Sequence, residues 1–174
     1  MTATGKESRR VSEFFLAALE GSGWYTPNYD MAEPLFWGKG KGCDFLNTPC
    51  VTKVNGQIQT KFPDHYCTDL EDTECTFTGY SIGFCGTESD NKNTSIHSAF
   101  NYFGDGREMI DGFADNCPYY YAYSNLNCLD PNDGIRALID AEKWGRKSMC
   151  FSGTLKKREA YPSKRSYCFP QNVI

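Results

Sequence analysis

The sequence predicts an α+β fold, in which one amphipathic helix is followed by a loop-rich, disulfide-stapled region with short antiparallel strands. Apolar residues near the amino end recur with a helical period, prolines and glycines become frequent after residue 23, and nine cysteines are spread over the remainder. A chain of 174 residues that is 40% hydrophobic can bury one real core. We therefore expect a globular protein whose second region depends on cross-links.

The helix is predicted from spacing. Apolar side chains at i, i+3, i+4, i+7 and i+8 form one stripe, and Ser8 is a candidate N-cap. The run Gly21-Ser22-Gly23 provides a left-handed stop at its carboxyl end. The stripe consists of Val11, Phe14, Phe15, Ala18 and Leu19.

The rest of the chain predicts shorter elements. Three prolines and three glycines between Trp24 and Cys50 favour turns and extended segments. A weaker second helix is predicted over Asp133 to Trp144, and short runs with β-favouring residues predict strands. These strands are Gly56 to Thr60, Thr76 to Phe84 and Tyr119 to Tyr123.

The cysteines indicate disulfides rather than a metal site. No two of them form a CxxC pair, which excludes the spacing of zinc ribbons and thioredoxin-like motifs. Disulfides persist in oxidising compartments, and the sequon at Asn93 fits glycosylation on a secretory route. We therefore expect an extracellular or cell-surface protein. The count of nine leaves at least one thiol free or bonded outside these residues.

The charge excludes some partners. A net charge of -4 with interspersed signs predicts no binding of nucleic acid or anionic membrane, and the basic segment from Lys156 to Arg165 is interpreted as a solvated loop. No apolar run reaches the roughly 18 residues of a transmembrane segment. Met1 to Val11 is polar and does not resemble a signal peptide, so we expect the start of the polypeptide to lie upstream.

The two histidines do not suggest a metal centre. His65 and His97 are far apart in sequence, and neither belongs to an HExxH motif, which would place two imidazoles on one helix face. His65 and Cys67 suggest a nucleophile pair only superficially, because Cys67 is expected to be oxidised. We interpret His65 as structural and His97 as a surface residue.

Three other segments have a functional and a structural interpretation. Gly38 to Gly42 resembles a phosphate loop only in composition, and Asp130 to Gly134 lacks the later glutamate of a calcium loop. Both are predicted to be plain turns. The tyrosines between 119 and 123 are either a stacking face for a ligand or residues divided between core and surface, and packing is the preferred interpretation.

A longer pattern resembles the leishmanolysin family of zinc metallopeptidases. After the helix, Gly23 to Tyr29 is followed by Ala32 to Leu46, which matches Ala-Glu-x-x-x-Trp-Gly-x-x-x-Gly-Cys-x-Phe-Leu. Further matches follow in the family's order, so the resemblance covers Met1 to about Cys168. They are Phe62-Pro63 to Cys67, Gly83-Phe84-Cys85, Asp115-Asn116-Cys117-Pro118 and Tyr123-Ser124.

The resemblance implies two parts. Residues 1–24 would complete a metzincin-like catalytic unit, with Met1 as the candidate Met-turn methionine or alternatively a mere initiator, and residues 25–174 would form the cysteine-rich C-terminal domain. In the family, zinc is held by HExxH and a third histidine, all absent here. Zinc is therefore expected in the full-length family member and not in this chain alone.

The resemblance also implies a disulfide pattern, which sequence alone leaves open because eight cysteines allow 105 pairings. Cys43 would have its partner in the upstream catalytic segment, or in another polypeptide. The implied pairs are Cys50 with Cys117, Cys67 with Cys85, Cys75 with Cys150, and Cys128 with Cys168.

The sequence therefore predicts the C-terminal segment of an extracellular metalloendopeptidase that acts on a peptide or protein substrate when full-length. The alternative is a non-catalytic structural or cell-adhesion module derived from the same family.

Overall fold

The structure, a computed structural model, describes residues 11–92, 96–104, 106–109, 115–136, 141–153 and 165–171. Within them, helix and short antiparallel strands are mixed, as the sequence predicts. The helices are α1 (Glu13–Gly21) and α2 (Asp44–Asn47), and none that is described is long and apolar enough to cross a membrane. The strands are β1 (Thr52–Val54), β2 (Gln57–Gln59), β3 (Thr73–Cys75), β4 (Ser81–Cys85), β5 (Thr87–Lys92), β6 (Arg107–Met109), β7 (Tyr120–Asn127), β8 (Ser148–Gly153) and β9 (Arg165–Pro170).

Helix α1 begins later than predicted. Its N-cap is Ser12, whose Oγ accepts a hydrogen bond from the Phe15 N–H at 3.3 Å, so the assignment of Ser8 as N-cap is wrong. Ser8 has the right chemistry but lies outside the described residues, and residues 11 and 12 are not helical. The predicted stop is confirmed, because α1 ends at Gly21 and Gly23 adopts a φ of 73°.

The predicted apolar stripe of α1 is not buried among the described residues. Leu16 is the buried residue of the helix, whereas Phe14 is 74% exposed and Val11 is 42% exposed. Periodicity locates an apolar face but does not say which segment covers it. In the described part of the chain, the face that carries Phe14 stays open.

The strands form hairpins and one three-stranded sheet. The sheet has the order β3-β4-β7, and the pairs β1-β2, β5-β6 and β8-β9 are separate two-stranded sheets. All pairings are antiparallel. The predicted strands at Gly56 to Thr60 and Tyr119 to Tyr123 are found as β2 and the start of β7.

The predicted strand from Thr76 to Phe84 is only half right. Thr76 to Tyr80 is the turn that joins β3 to β4, and only Ser81 onward is strand. The Gly79 N–H donates to the Thr76 carbonyl at 2.8 Å, and Gly79 has a φ of 71°. Alternating apolar residues suggested a strand, but this glycine reverses the chain.

The predicted second helix, Asp133 to Trp144, is wrong over most of its described length. Pro131–Arg136 is a 3₁₀ helix, residues 137–140 lie outside the described residues, and residues 142–144 are not helical. The 3₁₀ turn begins at Asp130, whose Oδ1 accepts from the Asn132 N–H at 2.9 Å. Short polar side chains that bond their own backbone favour such turns over longer helices.

Disulfides connect the elements and form much of the core. The buried cluster of Ile82, Cys128, Cys150 and Cys168 is mostly cysteine, and Cys67, Cys85 and Tyr120 form another. The remaining cluster is aromatic. The four bonds are Cys50–Cys117, Cys67–Cys85, Cys75–Cys150 and Cys128–Cys168, the same pairs that the family resemblance implies.

Removal of the Cys128–Cys168 bond tests this arrangement. Both side chains are fully buried and 40 residues apart in sequence. We expect the double substitution Cys128→Ala/Cys168→Ala to lower the free energy of unfolding by about 3 kcal/mol or more, because loop-closure entropy and packing are both lost. Urea unfolding measures this change. The matched control is Cys43→Ala at the exposed free thiol, for which a change within about 0.5 kcal/mol is expected.

Candidate functional site

A glycine turn presents the free cysteine. Gly38, Gly40 and Gly42 have φ values of 70°, 75° and 71°, and the Lys41 N–H donates to the Gly38 carbonyl at 3.1 Å. Positive φ angles are readily accessible to glycine and strained for other residues. The segment is a turn, as the sequence predicts. It leads directly into Cys43, which is exposed and is the N-cap residue of α2.

An aromatic cluster supports this turn from below. Trp37 packs on Phe45 and Phe77 with ring centroids 5.5 Å and 4.8 Å apart, and Phe45 packs on His65 at 4.9 Å. Phe45 also lies in the aromatic core with Tyr66. Edge-to-face contacts at these separations are favourable beyond the area they bury. These packed rings hold the turn in place, and we call them the platform. It consists of Trp37, Phe45, His65, Tyr66 and Phe77.

His65 forms a hydrogen bond that connects the platform to the glycine turn. Its side chain is 4% exposed, and its Nε2 accepts a hydrogen bond from the Gly38 N–H at 3.1 Å. An accepting Nε2 requires that any ring proton reside on Nδ1. Nδ1 lies 3.3 Å from Asp64 Oδ2 and forms no hydrogen bond. The structural interpretation of His65 agrees with this position.

Asp64 links the turn to the same histidine. Lys41 Nζ pairs with Asp64 Oδ2, so the carboxylate lies between an ammonium group and the His65 ring. Partial burial works to raise the pKa of Asp64, but the hydrogen bond from Lys41 and the His65 ring outweigh it and hold that pKa below its usual range. The charged form of Asp64 is therefore favoured in the folded chain.

The thiol of Cys43 has an apolar neighbour on the same turn of helix. The Leu46 N–H donates to the Cys43 carbonyl at 3.0 Å, and Leu46 is 84% exposed. Large apolar side chains are also exposed between α1 and this turn, including Trp24 at 84% and Met31 at 71%. Exposed apolar side chains that lie together mark contact surfaces, so these residues are candidates for one.

The other predicted site residues do not join this region. Met1, the candidate Met-turn residue, and Asn93, the candidate glycosylation site, lie outside the described residues, as do residues 156–164. His97 is exposed, which confirms the surface interpretation, and its Nδ1 accepts from the Ala99 N–H at 3.2 Å.

The remaining predicted alternatives are structural. Asp133 Oδ2 accepts from the Asn127 N–H at 2.9 Å, so this carboxylate stabilises a turn. Of the tyrosines, Tyr120 is 5% exposed while residues 119, 121 and 123 are half-buried. Tyr120 donates to Asp72 Oδ2 at 2.9 Å, and burial together with this acceptor raises its pKa. The tyrosines pack rather than form an open stacking face.

The described residues do not fit a zinc ion. No group of three or more histidine, cysteine, aspartate or glutamate side chains within them could hold a metal. The chain has only two histidines, and His65 uses its Nε2 to accept from Gly38 while His97 uses its Nδ1 to accept from Ala99.

The sequence matches one known family over nearly its full length. The profile of Peptidase_M8, described as leishmanolysin, matches residues 1–172. The chain belongs to the leishmanolysin family. The resemblance predicted from the Gly23 to Tyr29 and Ala32 to Leu46 patterns is thereby confirmed.

Relatives within the leishmanolysin family are much longer. A leishmanolysin-like peptidase of Drosophila melanogaster is 34% identical over 87% of this chain and 26% of its own length. A leishmanolysin-like peptidase of Caenorhabditis elegans is 29% identical over 87% of this chain and 27% of its own length. Leishmanolysin of Leishmania major is 24% identical over 87% of this chain and 25% of its own length. The chain thus spans about a quarter of the length of the relatives it matches.

Some residues of this leishmanolysin-family region were not recognisable from sequence. The bond between His65 and Gly38 joins positions 27 residues apart, and no local signal marks it. The buried carboxylate of Glu142 accepts from the Cys168 N–H at 3.1 Å, which is equally nonlocal. Hydrophobic periodicity along the chain predicts neither of these two contacts, because each joins residues that are far apart in sequence.

Two glycines test how tightly the turn packs. A Cβ on Gly38 would lie 2.6 Å from Phe45 Cδ1, whereas a Cβ on Gly40 would meet nothing within 4 Å. Because both have a positive φ, Gly40→Ala measures backbone strain alone, about 1 kcal/mol. We expect Gly38→Ala to cost about 1–3 kcal/mol more through overpacking. Equal losses in thermal unfolding of the two variants would contradict the packing described here.

The lowered pKa of Asp64 predicts a pH dependence. A depressed folded-state pKa stabilises the fold above the unfolded pKa of about 4, and this contribution is lost as pH falls through the folded value. We expect the urea midpoint of the wild type to exceed that of Asp64→Asn at pH 7, and the difference to disappear as the pH falls through the lowered folded-state pKa of Asp64. Asp30→Asn, an exposed carboxylate outside this network, is the control. A gap that persists undiminished at low pH would refute the assignment.

Proposed function

We propose that this chain is the C-terminal segment of an extracellular or cell-surface zinc metalloendopeptidase of the leishmanolysin family, and that it does not supply the catalytic groups. Family membership supports the peptidase assignment, and the relatives named as peptidases are about four times longer than the matched region. The four disulfides support an oxidising compartment. In the full polypeptide, zinc and its histidines would belong to another segment.

The observations that carry this proposal are a free, exposed thiol at Cys43 and large apolar side chains that are exposed beside it in sequence and on α1. Phe14 on α1 is 74% exposed, and Leu46 beside Cys43 is 84% exposed. Burying side chains of this size is worth roughly 1.5–3 kcal/mol each. A neighbouring upstream segment of the same polypeptide would cover them, and a bond from its cysteine to Cys43 would fix the contact. Residues 1–24 would then complete the metzincin-like unit, and residues 25–174 would form the cysteine-rich domain.

The platform below Cys43 supports such a junction. The His65 bond to Gly38, the Lys41–Asp64 pair and the Phe45 packing all hold the turn that leads to Cys43. A disulfide between two segments stabilises their contact most when the residues around its cysteine are already ordered, because little further conformational entropy is lost on binding. The segment would then position the catalytic part and not act as a flexible tail.

A second candidate function is a non-catalytic structural or adhesive module. The absence of HExxH from this sequence favours it, since neither His65 nor His97 belongs to a zinc-binding motif. In that case the partner that bonds Cys43 and covers Phe14 would be a separate polypeptide. The two candidates differ in what is joined to Cys43.

Non-reducing peptide mass spectrometry of the native protein separates these candidates. We expect a Cys43 peptide bonded to a cysteine from upstream residues of the same polypeptide, and upstream peptides that contain HExxH. The four internal disulfides serve as digestion controls in the same sample. A Cys43 that is free or bonded to a different polypeptide would overturn the peptidase proposal and favour the module.

A further inference from the structure

A shallow groove lies beside the β1-β2 hairpin, and Cys43 is not among its lining residues. Its volume is about 530 Å³, and it is widely open to solvent. One wall is strand β2, the other is the segment between Thr68 and Glu71, and an aromatic ring closes it. The lining residues are Gln57, Ile58, Thr68, Asp69, Leu70, Glu71 and Phe103.

The groove runs along the edge of β2. Gln57 and Ile58 are consecutive strand residues, so their side chains point to opposite faces of the hairpin. A cavity that both of them line must follow the strand edge and not lie on one face. Among the described residues, β2 pairs only with β1, so its outer edge faces the groove.

The type of turn between β1 and β2 determines which backbone N–H and C=O groups of β2 point toward the groove. Asn55 and Gly56 have φ values of 52° and 82°, the pattern of a two-residue type I′ turn. In such a hairpin, Val54 and Gln57 form the hydrogen-bonded closing pair, so the next pair, Lys53 and Ile58, is not hydrogen-bonded. The Ile58 N–H and C=O therefore point away from β1, toward the groove. They are positioned to pair with an added strand.

The apolar lining is fixed from both sides. Ile58 packs against the aromatic core that contains Phe45, and Leu70 packs against the cluster that contains Cys67. Phe103 is partly exposed between them. Two of the apolar lining residues are thus held in place before a ligand binds, which lowers the entropic cost of binding.

The polar lining is acidic. Asp69 and Glu71 are both exposed, and Asp69 Oδ1 accepts from the Glu71 N–H at 3.0 Å, which orders the segment. No lining residue is basic. The ammonium group of Lys53 extends over Gly104, 3.7 Å from the position of a Cβ there, and is not part of the lining. The groove therefore favours a ligand with positive charge.

We propose that this groove binds an extended peptide segment that carries basic side chains alternating with apolar ones. The peptide adds a strand to the edge of β2 by pairing with Ile58. Its apolar side chains contact Leu70 and Phe103, and its basic side chains face Asp69 and Glu71. A second copy of this chain is disfavoured as the occupant, because two such acidic grooves would repel each other.

The identity of the peptide's source rests on the proposed function: in a full-length peptidase, the segment belongs to a protein substrate that is held away from the catalytic residues. Binding itself needs no zinc and no upstream segment. A failure to bind peptide would thus leave the peptidase assignment intact, and a different partner on Cys43 would leave peptide binding intact.

Fluorescence anisotropy on the whole chain tests the proposal with a fluorescein-labelled hexapeptide in which leucine and lysine alternate. We expect saturable binding with a Kd below about 1 mM, which corresponds to a binding free energy of about -4 kcal/mol. Asp69→Asn/Glu71→Gln should weaken binding about fivefold, since two exposed charges contribute modestly. Asp69→Asn retains the Oδ1 acceptor that orders the segment. The matched control Glu13→Gln/Asp30→Asn removes two exposed charges outside the groove and should bind as the wild type does.

Peptide variants and NMR locate the contact. A hexapeptide with glutamate in place of lysine should not bind, and one with a central proline should bind several-fold more weakly because proline removes a ladder donor. The Ile58 amide should shift downfield in NMR spectra on titration with the leucine-lysine peptide. Absence of saturable binding, equal binding by the glutamate peptide, or an unaffected double variant would each overturn the proposal. So would a dimer of this chain that the peptide disperses, because the occupant would then be a second copy.

Discussion

The disulfides of this leishmanolysin-family chain form its core as well as cross-linking it. One buried cluster is mostly cysteine, and another consists of Cys67, Cys85 and Tyr120. Among the described residues, three of the strand pairs are isolated two-stranded sheets, which are marginal by themselves in water. The bonds Cys75–Cys150 and Cys128–Cys168 attach the β8-β9 hairpin to the three-stranded sheet and its outgoing loop. Without them, these short strands would bury too little surface to stay together.

The same dependence on nonlocal contacts explains the region around Cys43. The glycine turn is locally encoded, but its position is set by the His65 acceptor and by Phe45 packing under Gly38. The turn therefore combines backbone freedom with a fixed location. An exposed thiol on such a turn is a suitable point for a covalent junction, whereas the same cysteine on a mobile loop would constrain little. The peptide groove is built on the same principle, since Ile58 and Leu70 are each anchored in a different cluster.

Prediction from the sequence succeeded where the signal was local. The helix stop at Gly21-Ser22-Gly23, the turn at Gly38 to Gly42 and the strand at Tyr119 to Tyr123 follow from residue type and spacing, and all are present. It failed where two local signals competed. Ser12 and Ser8 have the same capping chemistry, and Gly79 interrupts a run that otherwise alternates as a strand does. The Asp133 to Trp144 prediction failed because Asp130 and Asp133 bond to nearby backbone and favour a short 3₁₀ turn.

The sequence by itself determined the mixed fold class, the family and the absence of HExxH, because each of these depends on residue identity and fixed gaps along the chain. The tertiary structure alone decided that His65 supports the Gly38 turn, that Phe14 and Leu46 are left uncovered among the described residues, and that β2 borders an acidic groove. These properties arise where segments distant in sequence meet. Local propensity contains no information about which segments those are, whereas the cysteine pairs that span 67 and 75 residues bring them together.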